Sequence, residues 1–156
     1  MRVMKFGGTS VGDAERMRGV VALVEEARKA ERVMVVASAV SGITNLLVEA
    51  AKVAEEGGSV QEACARFDGT HSAIAKALSV DLKPAQTRPL AEGLVALGVE
   101  LRGLLQGVGL LRECSPSVLA HLSGLGERAS CLLLAALLDA RGLTPVSLDP
   151  RQVLVC

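Results

Sequence analysis

The chain contains very few aromatic residues. Among its 156 residues only Phe6 and Phe67 carry an aromatic ring of the Phe, Tyr or Trp type. The hydrophobic core must therefore be built from Leu, Val and Ala. Proteins that bind single-stranded nucleic acids stack bases on aromatic rings, so this composition counts against that class.

The chain also has no excess of charge. Lysine plus arginine and aspartate plus glutamate each total 17, so the surface has no net attraction for nucleic acid or an anionic membrane. Lys5 interrupts the first apolar run too early for a secretory signal. The longest apolar run, residues 129–138, is about half of a membrane span. We therefore expect no nucleic-acid partner and no membrane association.

Cysteine is present but not in metal-binding or disulfide patterns. Cys64, Cys114, Cys131 and Cys156 form no CxxC pair, and neither histidine lies at ligand spacing from them. We expect no protein-bound metal and no disulfide scaffold. Free thiols in a chain of this size fit a reducing, cytoplasmic location.

The hydrophobic pattern predicts an α/β domain that covers residues 1–156. A short apolar strand at 2–6 precedes a helix at 13–30, and a β-branched run from residue 32 precedes a helix at 43–56. Alternation of this kind implies a parallel sheet. Helices are predicted at 60–78, at 90–107 and from 123–127 to 140, followed by a return strand at 144–150.

The predicted helix at 90–107 carries leucines at heptad spacing. This pattern is compatible with a coiled-coil seam, or with packing against the chain's own helices or a second copy. Gly93, Gly98 and Gly103 weaken the coiled-coil interpretation. The residues of the pattern are Leu90, Leu94, Leu97, Leu101, Leu104 and Val108.

A glycine loop (residues 7–12) links the first predicted strand to its helix. Glycine lets an anion approach the backbone N–H groups, and the helix behind it adds the positive end of its dipole. The alternative is an ordinary turn, in which Ser10 or Asp13 caps the helix. The loop lacks both the P-loop and the dinucleotide-binding spacings. A phosphate cradle would be formed by Lys5, Gly7, Gly8, Thr9 and Ser10.

A serine loop (residues 38–42) follows the second strand, and a third cluster spans residues 124–130. Ligands in open α/β sheets bind beyond the carboxyl ends of the strands, where Ser38, Ser41 and Thr44 would lie. The alternative is that Ser41 or Thr44 caps the next helix. In the third cluster Glu127 could anchor a substrate ammonium group, or could simply lie in a first helical turn, stabilised by the dipole.

These three segments together resemble the aspartate kinases. Residues 5–11 read KFGGTSV, residues 36–45 read VASAVSGITN, and residues 125–130 read LGERAS. The stretch at 106–117 is most similar to bifunctional aspartokinase–homoserine dehydrogenases. The resemblance spans the chain and implies the three-layer α/β/α sandwich of the amino-acid kinase type, with a mostly parallel sheet.

The resemblance implies transfer of the ATP γ-phosphoryl group to the β-carboxylate of L-aspartate, in the synthesis of lysine, threonine and methionine. Mg²⁺ would be carried in with ATP, and the enzyme would be a homo-oligomer. Lys5 would be the catalytic residue. ATP phosphates would be bound by Lys5, Gly7, Gly8, Thr9, Ser10 and Ser38. L-Aspartate would be bound by Ser41, Thr44 and Glu127, with Arg128 and Ser130 also on the substrate side.

The family's kinase domain is longer than this chain, so the resemblance covers its N-terminal, substrate-side portion. We therefore expect no turnover by the 156 residues alone. Two alternatives stay open. One is an amino-acid kinase with another substrate, such as glutamate, carbamate or a nucleotide. The other is a non-catalytic chain that assembles with kinase subunits through its leucine-rich helices.

Overall fold

The computed structural model describes residues 1–149, which form two strands and five helices. One helix lies between the two strands along the chain, and four helices follow the second strand. The elements are β1 (Arg2–Phe6), α1 (Ala14–Ala30), β2 (Val33–Ala37), α2 (Ile43–Glu55), α3 (Gln61–Leu78), α4 (Pro84–Leu111) and α5 (Pro116–Ala140). Strands β1 and β2 pair in parallel, in register from Arg2 with Val33 to Phe6 with Ala37. The predicted βαβ unit is confirmed.

The two faces of the sheet have different environments. Phe6 and Ala37 are buried, and Met4 and Val35 pack against the core that the helices form. On the opposite face three apolar side chains remain 58%, 41% and 42% exposed, namely Val3, Met34 and Val36. The described residues therefore supply the sheet and one helical layer.

Helix α5 is the central element of the core. It packs against α4, α2, α1 and β2. A row of its side chains has no solvent exposure, and each buried leucine contributes about 1.5–3 kcal/mol of transfer free energy. This row consists of Leu122, Leu125, Ala129 and Leu133.

Helices α4 and α5 begin earlier than the hydrophobic pattern predicts. Helix α4 begins at Pro84, and Gln86 accepts a hydrogen bond at 3.1 Å from the Lys83 N–H group. Helix α5 begins at Pro116. The hydroxyl of Ser115, the residue before it, accepts a hydrogen bond from an N–H group of the first turn. A proline in the first turn loses no intrahelical bond, so it starts a helix well. Pro89 lies within α4 but does not end it.

The heptad leucines of α4 pack inside the domain. Leu90, Leu97, Leu101 and Val108 are buried among the helices of this chain, which favours intramolecular packing over a coiled-coil seam. By length and composition alone, α4 is also apolar enough to cross a membrane, with 28% of its most apolar window buried. Core helices of water-soluble proteins meet the same criteria, so this is weak evidence.

The predicted return strand is wrong for residues 144–149, because these residues adopt no regular secondary structure. Val146 and Leu148 are 81% and 62% exposed, so no strand within residues 1–149 covers them. Pro145 lacks the N–H group that strand pairing uses, which weakens the pattern. Pro150, the last residue of the predicted strand, lies outside the described residues.

Candidate functional site

The glycine loop and the serine loop lie side by side at the carboxyl ends of β1 and β2. The Ser38 N–H group donates to the Phe6 carbonyl at 3.0 Å and extends the sheet by one bond. A Cβ atom on Gly8 would lie 2.6 Å from the Ala39 carbonyl oxygen and 3.2 Å from the Ser41 nitrogen. Only glycine therefore allows this contact between the loops.

The glycine loop is closed by its own backbone and by Arg16. The Ser10 N–H group donates to the Gly7 carbonyl at 2.9 Å, and Arg16 Nη1 donates to the Thr9 carbonyl at 2.9 Å. Asp13 caps α1, so of the two predicted caps only Asp13 is used. Within residues 1–149 the Thr9 and Ser10 hydroxyls make no hydrogen bond, and they face solvent.

Gly7 lies beside open space. A Cβ atom at this position would meet no atom within 4 Å, in contrast to Gly8. The backbone here can therefore be approached closely by a ligand, as the phosphate-cradle interpretation requires.

The N-terminus of α2 has no side-chain cap. Its N-cap residue is Gly42, with φ of 83°, a left-handed conformation that glycine adopts without strain. Neither Ser41 nor Thr44 caps the helix, so the capping alternative is not realised in this structure. The uncapped first turn leaves N–H groups available to an anion.

Helix α5 meets the serine loop at Gly126. A Cβ atom on Gly126 would lie 2.6 Å from the Ala39 Cβ and 2.9 Å from Ile43 Cγ2. Glu127 is the next residue, so the structure brings the third cluster against the other two. Because α5 begins at Pro116, Glu127 lies in the helix interior and the first-turn dipole does not explain it.

Two oxygens on this part of α5 are buried without a partner. Among residues 1–149, Glu127 Oε2 and Ser130 Oγ accept and donate no hydrogen bond. Residues three apart share a side of a helix, so both groups face the same region. Leaving a buried polar atom unsatisfied costs about 1–3 kcal/mol, and a charged one more. A ligand with N–H donors would remove this cost.

The pKa of the Cys131 thiol depends on the charge in the same region. Burial raises the pKa of the Cys131 thiol, and the negative charge of Glu127 raises it further. The thiol therefore stays protonated and unreactive at neutral pH, and we assign it no chemistry.

Lys5 lies at the same end of the sheet but on its open face. Its register partner is Val36, it is exposed, and within residues 1–149 it forms no ion pair or hydrogen bond. Since Phe6 points into the helical layer, Lys5 points away from α5. The structure therefore places the predicted ammonium group beside the loops but across the sheet from Glu127.

Arg128 is held by α4. Its Nη1 donates to Glu100 Oε1 at 2.7 Å, and the same oxygen lies 2.7 Å from His121 Nε2. Burial alone would raise the pKa of Glu100, but these two hydrogen bonds outweigh burial and lower it. The structure thus places Glu127 and Ser130 of the third cluster on the part of α5 that meets the loops. Arg128 instead contacts the neighbouring helix α4.

Three residues that the sequence did not single out help to form the site. Ala39 and Gly126 permit the close approach of the serine loop and α5, and Arg16 braces the glycine loop. The spacing of Asp13 and Arg16 could have indicated a local ion pair. No local signal connects Ala39 with Gly126, because their contact is long-range.

A separate cleft of about 830 Å³ lies at the far end of α2, between the start of α3 and the end of α4. None of the predicted site residues lines it. Its lining includes Gly57, Gly58, Arg102 and Arg112. Arg102 is paired with Asp68 and Arg112 covers Gly57, so both guanidinium groups already contact protein.

The chain is similar to proteins of one family, both in sequence and in structure. The model of the amino acid kinase family matches residues 1–155. The chain is 33% identical to an aspartokinase of Chlamydia muridarum over 98% of this chain and 31% of that protein. It is 24% identical to a bifunctional aspartokinase/homoserine dehydrogenase of Buchnera aphidicola over 99% of this chain and 19% of that protein.

A solved structure confirms the fold. E. coli aspartokinase III in complex with aspartate and ADP has a TM-score of 0.75 and 29% identity to this chain. The match covers 91% of this chain and 29% of that one. The predicted α/β fold of the amino-acid kinase type is confirmed. The chain spans less than a third of the length of each of these relatives.

Proposed function

We propose that this chain, which belongs to the amino acid kinase family, is the N-terminal portion of an aspartate kinase. Its reaction would transfer the γ-phosphoryl group of ATP to the β-carboxylate of L-aspartate. The observation that carries the proposal is the close approach of the glycine loop and of Gly126, the neighbour of Glu127, to Ala39 in the serine loop. The similarity to aspartokinases, one of them in complex with aspartate and ADP, supports the choice of substrates.

On the nucleotide side, backbone N–H groups would bind the ATP phosphates. Gly7 offers open backbone, Gly8 brings the serine loop close, and the uncapped N-terminus of α2 adds its dipole. Thr9, Ser10 and Ser38 would donate further hydrogen bonds. The four-carbon stem of Lys5 would let its ammonium group reach the phosphates from the open face of the sheet.

On the substrate side, Glu127 would accept hydrogen bonds from the α-ammonium group of L-aspartate. This contact would satisfy Glu127 Oε2, and the Ser130 hydroxyl would gain a partner in the same region. Ser41 and Thr44 would hold the substrate carboxylates from the serine loop and α2. Arg128 is bound to Glu100 and would need to leave that partner to contact the substrate.

The chemistry requires positioning and charge neutralisation rather than a base. The β-carboxylate of aspartate, with a reference pKa of about 3.9, is already ionised at neutral pH. Phosphoryl transfer therefore needs in-line alignment and cationic donors around the γ-phosphoryl group. Lys5 and the loop N–H groups would supply part of the charge. Mg²⁺ arriving with ATP would supply more, held chiefly by phosphate oxygens and water.

Calorimetric titration tests substrate choice. We expect the chain to bind L-aspartate in preference to L-glutamate, and Glu127→Gln to weaken L-aspartate binding at least about tenfold, or 1.4 kcal/mol. The exposed Glu62→Gln, in the first turn of α3, is the matched control and should change nothing. Preference for L-glutamate, or equal effects of both substitutions, would contradict the proposal and favour another amino-acid kinase.

We further propose that the chain is cytoplasmic, that its product enters lysine, threonine and methionine synthesis, and that residues 1–156 alone do not turn over. A hydroxamate assay for aspartyl phosphate tests the last point and should give no ATP-dependent product. Robust product would show that the described site is sufficient for catalysis.

A non-catalytic role as an assembly subunit is the second candidate. The observation that favours it is the exposed apolar face of the sheet, at Val3, Met34 and Val36. Exposed patches of this kind mark interaction surfaces. Stable association without any binding of L-aspartate or ATP would favour this candidate.

A further inference from the structure

Arg16 folds back from the first turn of α1 onto the glycine loop. Its Nη1 donates to the Thr9 carbonyl at 2.9 Å, and its Nε lies 3.3 Å from Asp13 Oδ2. The other Asp13 oxygen accepts from the backbone N–H group of Arg16 at 2.9 Å. A guanidinium group presents its N–H donors in a rigid fork, so Arg16 can bind the carbonyl and the carboxylate at the same time.

The peptide unit between Thr9 and Ser10 is held at both of its polar ends. Its C=O group accepts from Arg16, and its N–H group donates to the Gly7 carbonyl at 2.9 Å. Because a peptide unit is planar, rotation of this one would break both hydrogen bonds together. Arg16 therefore helps to fix the direction in which the carbonyl oxygen of Thr9 points.

The carbonyl oxygens of the glycine loop lie on the side of Gly12. A Cβ atom on Gly12 would lie 3.3 Å and 3.4 Å from the Thr9 and Gly8 oxygens, and 3.5 Å from Arg16 Nη1. In a trans peptide unit the N–H group points opposite to the C=O group, so the Thr9 N–H group points away from Gly12. Within residues 1–149 the N–H groups of Gly8 and Thr9 donate to no acceptor, which leaves them available to an anion.

We propose that Arg16 is a positioning residue for phosphate binding, an inference that rests on the aspartate kinase function proposed above. By holding the Thr9 carbonyl, Arg16 keeps that oxygen away from the triphosphate, where its partial negative charge would repel a phosphate group. Arg16 acts through the backbone of the glycine loop and does not itself contact the nucleotide.

Titration with Mg·ATP, followed by the amide chemical shifts of Gly7 and Gly8, measures the effect on binding. Arg16→Met keeps an unbranched apolar side chain and removes the fork, and we expect it to weaken Mg·ATP binding at least about tenfold. The matched control is Arg28→Met, which removes an exposed arginine about 18 Å along the same helix. It should change the affinity less than about twofold, and equal effects of both substitutions would overturn the inference.

Calorimetric titration with L-aspartate separates phosphate binding from general damage to the site. We expect Arg16→Met to change the affinity for L-aspartate less than about twofold, because Arg16 contacts only the glycine loop and Asp13. An equal loss of affinity for L-aspartate and for Mg·ATP would overturn the inference.

Arg16→Lys separates the fork from the charge. Lysine keeps the positive charge, but its single ammonium group does not reproduce the fork that binds Thr9 and Asp13 together. We expect Mg·ATP binding to stay at least about fivefold weaker than in the unsubstituted chain. Recovery to within about twofold would show that charge alone is sufficient, and would overturn the role assigned to the held carbonyl.

Hydrogen exchange of the Ser10 amide tests the loop without any ligand. In Arg16→Met we expect exchange at least about threefold faster, since loss of the bond to Thr9 frees the peptide unit. The melting temperature should stay within about 3 °C, because the Arg16 side chain is 53% exposed and exposed ion pairs contribute little to stability. Unchanged exchange with weaker Mg·ATP binding would indicate direct contact of Arg16 with the nucleotide, and would overturn the inference.

The outcomes separate this inference from the proposed function. If Mg·ATP shifts Gly7 and Gly8 in the unsubstituted chain and Arg16→Met binds it equally well, the inference fails and the proposed function stands. If Mg·ATP shifts neither glycine in the unsubstituted chain, the proposed function fails and the inference fails with it.

Discussion

At the scale of single residues, two glycines allow the segments of the site to come into contact, because glycine has no side chain. Gly8 and Gly126 each approach Ala39 more closely than any residue with a Cβ atom could. The glycine loop, the serine loop and α5 converge there, although Gly8 and Gly126 lie far apart in the sequence. The glycine pattern predicted a ligand loop, but it could not show that Ala39 is the common contact.

Alanine at the two adjacent glycines should therefore have different consequences for stability: destabilisation at Gly8 and almost no change at Gly7. In Gly8→Ala the new Cβ would meet the Ala39 carbonyl, a backbone atom that cannot move away cheaply. We expect a loss of about 1–3 kcal/mol in the free energy of unfolding, in the range of overpacking substitutions. Urea denaturation measures this.

Gly7→Ala is the matched control, because its Cβ has free space. We expect its free energy of unfolding to stay within about 0.5 kcal/mol of that of the unsubstituted chain. Equal destabilisation by both substitutions would indicate that backbone conformation, and not the contact with Ala39, requires glycine in this loop.

His71 is the other residue whose environment has a measurable consequence. It is 1% exposed, and its Nδ1 lies 2.7 Å from the Phe67 carbonyl, to which it donates when neutral. Nε2 is buried and has no partner within residues 1–149. Burial lowers the pKa of His71 below its ordinary value of 6.5, although the Phe67 hydrogen bond opposes this. The folded protein therefore favours the neutral ring.

This environment predicts acid sensitivity of the fold. Below about pH 6.5 the unfolded chain binds a proton at this residue that the folded chain binds less readily, so stability falls with decreasing pH. Thermal unfolding should show this loss between pH 7 and pH 5.5, above the range of most carboxylates. His71→Leu should flatten the dependence in that window. An unchanged slope in His71→Leu would contradict this account.

At the scale of elements, an ion-pair cluster joins α4 to α5. Glu100 of α4 accepts from both His121 and Arg128 of α5, and all three side chains are about two-thirds buried. The same helix carries Glu127, so this cluster helps to fix the rotation of α5 beneath the serine loop. The resemblance assigned Arg128 to the substrate, whereas the fold gives it a structural partner.

A double-mutant cycle measures that partnership. Arg128→Met keeps the apolar stem and removes the charge, and Glu100→Gln removes the opposite charge. We expect a coupling free energy of about 1 kcal/mol between them, modest because both groups are partly exposed. Zero coupling would contradict a structural role. A loss of L-aspartate affinity in Arg128→Met alone, with Glu100→Gln unaffected, would support its predicted substrate role.

Element order followed from the sequence, while several element ends did not. The strands, α1, α2 and α3 have strong periodicity and clear breakers, and their predicted limits agree closely with the structure. Helices α4 and α5 start at Pro84 and Pro116, before their apolar patterns become regular. The expected strand at 144–149 has apolar residues, but the part of the chain that the structure describes places no strand beside it. Pairing depends on tertiary contacts that a local pattern does not contain.

At the scale of the whole molecule, the helices cover one face of the sheet. The apolar side chains of the other face, such as Val3 and Val36, are exposed within the described residues. The sequence predicted the fold type and the end of the sheet at which the loops meet. It could not predict that Lys5 and Glu127 lie on opposite sides of that sheet, because strand alternation has meaning only once the buried face is known.

The central claim is that the two loops and α5 form one site for the triphosphate and L-aspartate. Titration of the ¹⁵N-labelled chain with Mg·ATP and then L-aspartate, followed by amide chemical shifts, tests it most directly. We predict that ATP shifts Gly7 and Gly8, that L-aspartate shifts Thr44 and Glu127, and that Gly57 and Gly58 in the distant cleft stay unchanged. Shifts confined to Gly57 and Gly58, with none at the loops, would contradict the claim.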